Sequence, residues 1–71
     1  MKNKIAMLER HGYMFDDYMS TYVKEYTWNK KVVWKAFLSR SWVKLSNELE
    51  LYKRIKFNDE HAKDYVYNHF C

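Results

Sequence analysis

Proline is absent from the chain and glycine occurs once, at Gly12. These two residues supply the fixed and the positive φ values that tight turns demand. A β-sandwich or barrel needs such turns repeatedly, so that class is nearly excluded. Helical periodicity, by contrast, runs through most of the sequence. At 100° per residue, Trp34, Leu38, Leu45, Leu49 and Tyr52 fall within about 60° of one another. Phe37, Trp42 and Ile55 widen that arc to about 140°, enough for a core-facing stripe. Phe15, Tyr18, Met19, Tyr22, Val23 and Tyr26 form a second arc, and Ala62, Tyr65, Val66 and Phe70 a shorter third. Alternation of period two is nowhere sustained, although Val32-Val33-Trp34 alone has the composition of a strand. The expected fold is all-α, a small bundle of three to four helices. They are placed near 3–11, 14–26, 29–55 and 59–70, with one long central helix.

Capping residues set these boundaries. His11-Gly12 suits a helix end, with glycine at the C′ position where φ is positive. Thr27 or Asn29 is the cap expected for the central helix, although Lys30 and Lys31 then sit unfavourably in its first turn. Ser39-Arg40-Ser41 and Ser46-Asn47 mark two places where that helix would break or bend. Asn58 is the best cap, with Asp59 and Glu60 following in the first turn, and ion pairs are expected between Asp59 and Lys63 and between Glu50 and Arg54, each one turn apart.

The 71 residues allow one small domain, 1–71. Cys71 is the only cysteine, so no internal disulfide forms. Small secreted domains usually carry several, which makes a reducing, cytoplasmic setting the expected one. The apolar stretch in residues 2–8 is cut short by Glu9 and Arg10, unlike a signal peptide. No run approaches the roughly 18 residues of a membrane-spanning helix.

Catalytic chemistry finds little support. There is no glycine-rich phosphate loop or nucleophile elbow. Asp16 and Asp17 are neighbours whose carboxylates would diverge on a helix, so they read as a solvated face. His61, His69 and Cys71 lie near one another in sequence, but on a helix His61 and His69 are about 12 Å apart along the axis. No metal or other cofactor is expected, and no enzymatic activity.

Charge is uneven: residues 1–29 balance to zero, residues 30–56 carry eight basic and two acidic side chains, and residues 57–71 are net acidic. Lys30, Lys31, Lys35, Arg40, Lys44, Lys53, Arg54 and Lys56 would make an electrostatic footprint for DNA or RNA, with tyrosine and tryptophan available to stack on bases. On one continuous helix, however, these charges surround the axis, which reads as a solubility collar. Residues 45–49 resemble the start of a helix-turn-helix, but the turn lacks glycine and the last helix, which would have to read DNA, is acidic.

Aromatic residues make up 20% of the chain. Each large ring buries about 150–250 Å², more than so small a core easily hides. Tyr13, Met14, Trp28 and Tyr67 fall off the core arcs and are the expected anchors for a partner, because such residues are over-represented at protein interfaces. Lys30, Lys31, Arg40 and Lys44 would steer association towards an acidic surface. Val32, Ala36, Ser39 and Val43 recur at helical spacing with small side chains, the seam expected for a homodimer. The lysine-, tyrosine-, asparagine- and phenylalanine-rich composition is of a type frequent among small bacteriophage and mobile-element proteins that disable a host factor. The function expected is therefore a non-enzymatic protein that binds a larger cytoplasmic protein and modulates or inhibits it. Direct nucleic-acid binding through residues 30–56 is the alternative.

Overall fold

Three strands occupy the stretch in which two helices were expected, and the fold is α+β. The computed structural model describes residues 2–70. They form α1 (Lys2–Arg10), β1 (Met14–Asp16), β2 (Thr21–Trp28), β3 (Lys31–Ser39), α2 (Arg40–Leu45) and α3 (Glu48–Phe70). The strands make one antiparallel sheet in the order β1-β2-β3. Both the all-α class and the description as a small helical protein are thereby overturned.

The turns explain how a chain without proline and with one glycine builds a sheet. Trp28 pairs with Lys31 across a two-residue loop, and both loop residues take positive φ, Asn29 at 52° and Lys30 at 65°. That is the type I′ geometry, whose twist matches paired strands and for which asparagine is favoured. Asn29 is therefore a turn residue, not the cap of a central helix. The β1–β2 loop is held by Asp16, whose Oδ1 accepts from the backbone N–H of Tyr18 (3.0 Å) and Met19 (3.4 Å). Ser20 supplies the positive φ there. Asp16 is thus a turn-former, as short polar side chains often are, and not part of a helix face.

Strand patterning is present but blurred. Val32, Trp34, Ala36 and Leu38 alternate along β3, yet Val33 and Phe37 on the intervening positions are apolar too. On β2, Tyr22 and Tyr26 face inward together with Lys24, whose charge disguises the alternation. A β-bulge in β3 opposite Tyr26 and Thr27 shifts the register once more.

Helix ends follow the capping chemistry. α1 stops at Gly12 (φ 86°), where the N–H of Tyr13 bonds Leu8 O (2.8 Å) and the N–H of Gly12 bonds Glu9 O (3.0 Å). This is a Schellman closure, with glycine at C′ as the sequence indicates. Ser39 caps α2, its Oγ accepting from Trp42 N–H (3.1 Å). Asn47 caps α3, its Oδ1 accepting from Glu50 N–H (2.8 Å). Ser39 therefore marks the junction of β3 with α2, not a bend in a central helix, and only Ser46-Asn47 separates two helices. Lys4 of α1 closes the other end of α2, donating to the carbonyls of Val43, Lys44 and Ser46 at 2.7, 3.0 and 2.7 Å. α3 runs straight through Asn58, which is not a cap.

The core consists of Leu8, Tyr13, Tyr22, Ala36, Leu38, Val43, Leu51 and Ile55, with Met7, Tyr26 and Trp42 packed against it. The helices cover the sheet face that carries Tyr22, Ala36 and Leu38. The other face is open and carries the cross-strand row Met14, Val23 and Phe37 beside the pair Glu25 and Lys35 (3.6 Å). The expected stripe of Trp34, Leu38, Leu45, Leu49 and Tyr52 does not exist. It is split between β3, α2 and α3, leaving Leu45 89% and Leu49 61% exposed. None of the helices is long and apolar enough to cross a membrane, among the described residues.

Candidate partner-binding surfaces

The four expected anchors separate into three environments. Tyr13 is 1% exposed and belongs to the core. It follows the Schellman turn and is drawn under the sheet, so it presents nothing to a partner. Met14 lies on the open sheet face and is 76% exposed. Trp28 and Tyr67, far apart in sequence, converge on one groove.

That groove exists because β1 is short. β1 pairs with β2 only from Thr21 to Val23, so residues 24–28 have a strand on the β3 side alone. Beside this open edge runs the second half of α3. Between them lies a groove of about 580 Å³ lined by Tyr26, Trp28, Asp59, Ala62, Val66 and Tyr67, among others. The volume is in the range of ordinary ligand sites. Phe70 packs near Trp28 at its end, ring centroids 6.4 Å apart.

A polar cluster anchors the groove's inner wall. Asp59 Oδ1 accepts from Lys24 Nζ at 2.9 Å and from the Tyr26 hydroxyl. Asn58 Nδ2 donates to the Tyr13 hydroxyl at 2.8 Å. The Lys24 ammonium also lies over the Tyr26 ring, 4.8 Å from its centre. Burial alone would raise the Asp59 carboxyl, but the hydrogen bonds from Lys24 and Tyr26 outweigh it and hold Asp59 below its ordinary value. Tyr26 is pushed far above its ordinary value, by burial first and then by donating to that carboxylate. Burial likewise raises Tyr13. The cluster therefore holds one carboxylate charged and two phenols neutral at pH 7. Asp59 pairs across the fold with Lys24, where pairing with Lys63 was expected.

The basic residues are spread over a turn, a strand and two helices. Lys30 is in the hairpin turn, Lys31 and Lys35 lie on β3, Arg40 and Lys44 on α2, and Lys53, Arg54 and Lys56 on α3. Lys35 is paired with Glu25. Arg40 stands over Phe15 of β1 (5.6 Å), whereas Arg54 lies between Trp42 (5.7 Å) and Phe57 (5.8 Å). The supposed homodimer seam fares similarly, because its helical spacing spans a strand and a helix. Val32 is exposed, Ala36 and Val43 are core, and Ser39 caps α2.

His61 and His69 are packed against rings. His61 stacks with Phe57 (5.9 Å) and meets Trp34 (5.0 Å), while His69 stacks on Tyr65 (4.3 Å). No group of three His, Cys, Asp or Glu that could hold a metal occurs among the described residues, and Cys71 lies outside them. Arg54, Phe57, His61, Tyr65 and His69 recur at three- and four-residue spacing, a flank of α3 that sequence reasoning missed. Reading Asn58 as a cap had cut the helix in two. Comparison with protein-family models, curated proteins and solved structures returns no match.

Proposed function

We propose that this chain is a non-enzymatic interaction protein that binds a larger cytoplasmic protein through the groove between β2 and α3 and so modulates that partner. One observation carries the reading: Trp28 and Tyr67 line one groove at an open strand edge, with Tyr67 70% exposed. Aromatic side chains of this kind supply most of the binding energy in interfaces, because they bury large area at small entropic cost. Lys63 lines the groove, where it would act chiefly on association rate and salt dependence.

The test is site-specific photocrosslinking in the native host, with a benzophenone amino acid replacing Tyr67. A single protein adduct that is lost in Trp28→Ala supports the reading, provided that variant melts normally. An adduct that survives Trp28→Ala would sink it. So would binding to generic duplex or single-stranded nucleic acid that falls steeply with salt, the signature of counterion release.

A further inference from the structure

We infer that the open edge of β3 accepts an extended acidic segment of another protein as a fourth strand. This surface is distinct from the Trp28 and Tyr67 groove. β3 is nine residues long and pairs with β2 alone, so half of its backbone N–H and C=O groups have no strand opposite. Unpaired strand edges of this length are templates for strand addition. A groove of about 330 Å³ borders its C-terminal end, lined by the consecutive residues Phe37, Leu38 and Ser39 and walled by Trp42, Arg54 and Asn58.

The chemistry of both faces specifies the occupant. An added strand points alternate side chains to opposite faces of the sheet. On the helix-covered face they would meet Arg54, whose guanidinium is oriented by the rings of Trp42 and Phe57 and has no carboxylate within ion-pair distance among the described residues. A planar guanidinium held in this way is preorganised for a bidentate carboxylate. Glu50, one helical turn before Arg54, accepts from Asn47 at the helix start (3.3 Å) instead of pairing with Arg54. On the open face the added strand would lie beside Phe37, 51% exposed, and extend its row with Val23 and Met14. The segment is therefore acidic at alternate positions and apolar between them. Charge also opposes a second copy: antiparallel pairing of two β3 edges would bring Lys31 and Lys35 of both chains together, and like charges on an edge deter self-association.

The probe is a capped hexapeptide of alternating glutamate and valine, titrated into the ¹⁵N-labelled full chain. Amide shifts should concentrate on β3, α2 and the Arg54 turn of α3. Arg54→Gln should weaken binding by about tenfold or more, as expected for loss of a charge-assisted bidentate contact, with Arg54→Lys, which keeps the charge and loses the planar fork, as a milder second variant. Trp28→Ala should leave peptide binding unchanged, so this proposal and the groove reading fail separately. Of two peptides N-methylated at alternate amides, the one whose methylated amides face β3 should lose affinity and the one whose methylated amides face away should keep it. The inference is overturned if no shift appears at millimolar peptide, or if both N-methylated forms bind equally well. Equal binding of the lysine-for-glutamate peptide would also overturn it, as would tighter binding of a single-stranded oligonucleotide at the same residues. Concentration-dependent pairing of β3 with itself in sedimentation would do the same.

Discussion

Lys30→Gly distinguishes the hairpin from the helix by the sign of its effect. Lys30 occupies the second central position of the β2–β3 turn at φ 65°, is exposed, and forms no ion pair among the described residues. A left-handed conformation costs a residue with a Cβ about 1–2 kcal/mol, a cost glycine escapes. Glycine's extra freedom in the unfolded chain takes back about 0.5–1 kcal/mol. The net is a stabilisation of about 0.5–1 kcal/mol, helped by the Asn-Gly preference of type I′ turns. For a domain of this size that raises Tm by about 2–8 °C. In a helix through residues 29–55 the same substitution would cost up to about 1 kcal/mol. Urea unfolding followed by tryptophan fluorescence and circular dichroism reads the difference directly. A higher midpoint with an unchanged slope is the expected result. A lower midpoint would refute the turn and the argument built on it.

Ile55→Ala, at a fully buried position, should cost about 2–5 kcal/mol, whereas Leu45→Ala should change stability by no more than about 0.5 kcal/mol; paired thermal melts check both. Asp59→Asn should cost about 1 kcal/mol at pH 7, since two charge-assisted hydrogen bonds become neutral ones in a site partly open to water. Because folding lowers the Asp59 pKa, its contribution is present above the unfolded value of about 3.9 and is lost as pH falls through the folded value. The stability difference between variant and parent should therefore shrink in urea melts as pH falls below the unfolded value. Folding raises the Tyr26 pKa, so its contribution holds below about pH 10 and fades above it; Tyr26→Phe should flatten the alkaline limb of the stability profile. Lys4→Met should lower stability by about 1–2 kcal/mol by leaving the carbonyls at the end of α2 without their donor, and a proton-exchange measurement should show that end fraying first.

Local chemistry in the sequence determined where the helices begin and end around the sheet. Gly12 closes α1, Ser39 caps α2 and Asn47 caps α3, because capping depends on a side chain and backbone groups within a few residues of it. The surplus of large side chains over available core was legible as well: Tyr67 and the apolar Met14 lie exposed on the surface. The strand character of residues 14–39 was decided by tertiary pairing. Tyr22 and Tyr26 satisfy a four-residue helical spacing and a two-residue strand spacing equally, and Lys24 between them is polar in sequence but is drawn inward by Asp59 from across the fold. Its ammonium lies over Tyr26 and its charge is matched by a carboxylate 35 residues away, a compensation that no local window contains. The same long-range contact moved Asn58 and Asp59 from a helix start to the middle of α3. It also brought Trp28 and Tyr67 together, because a strand edge left open by a three-residue β1 becomes a groove only when a distant helix lies beside it.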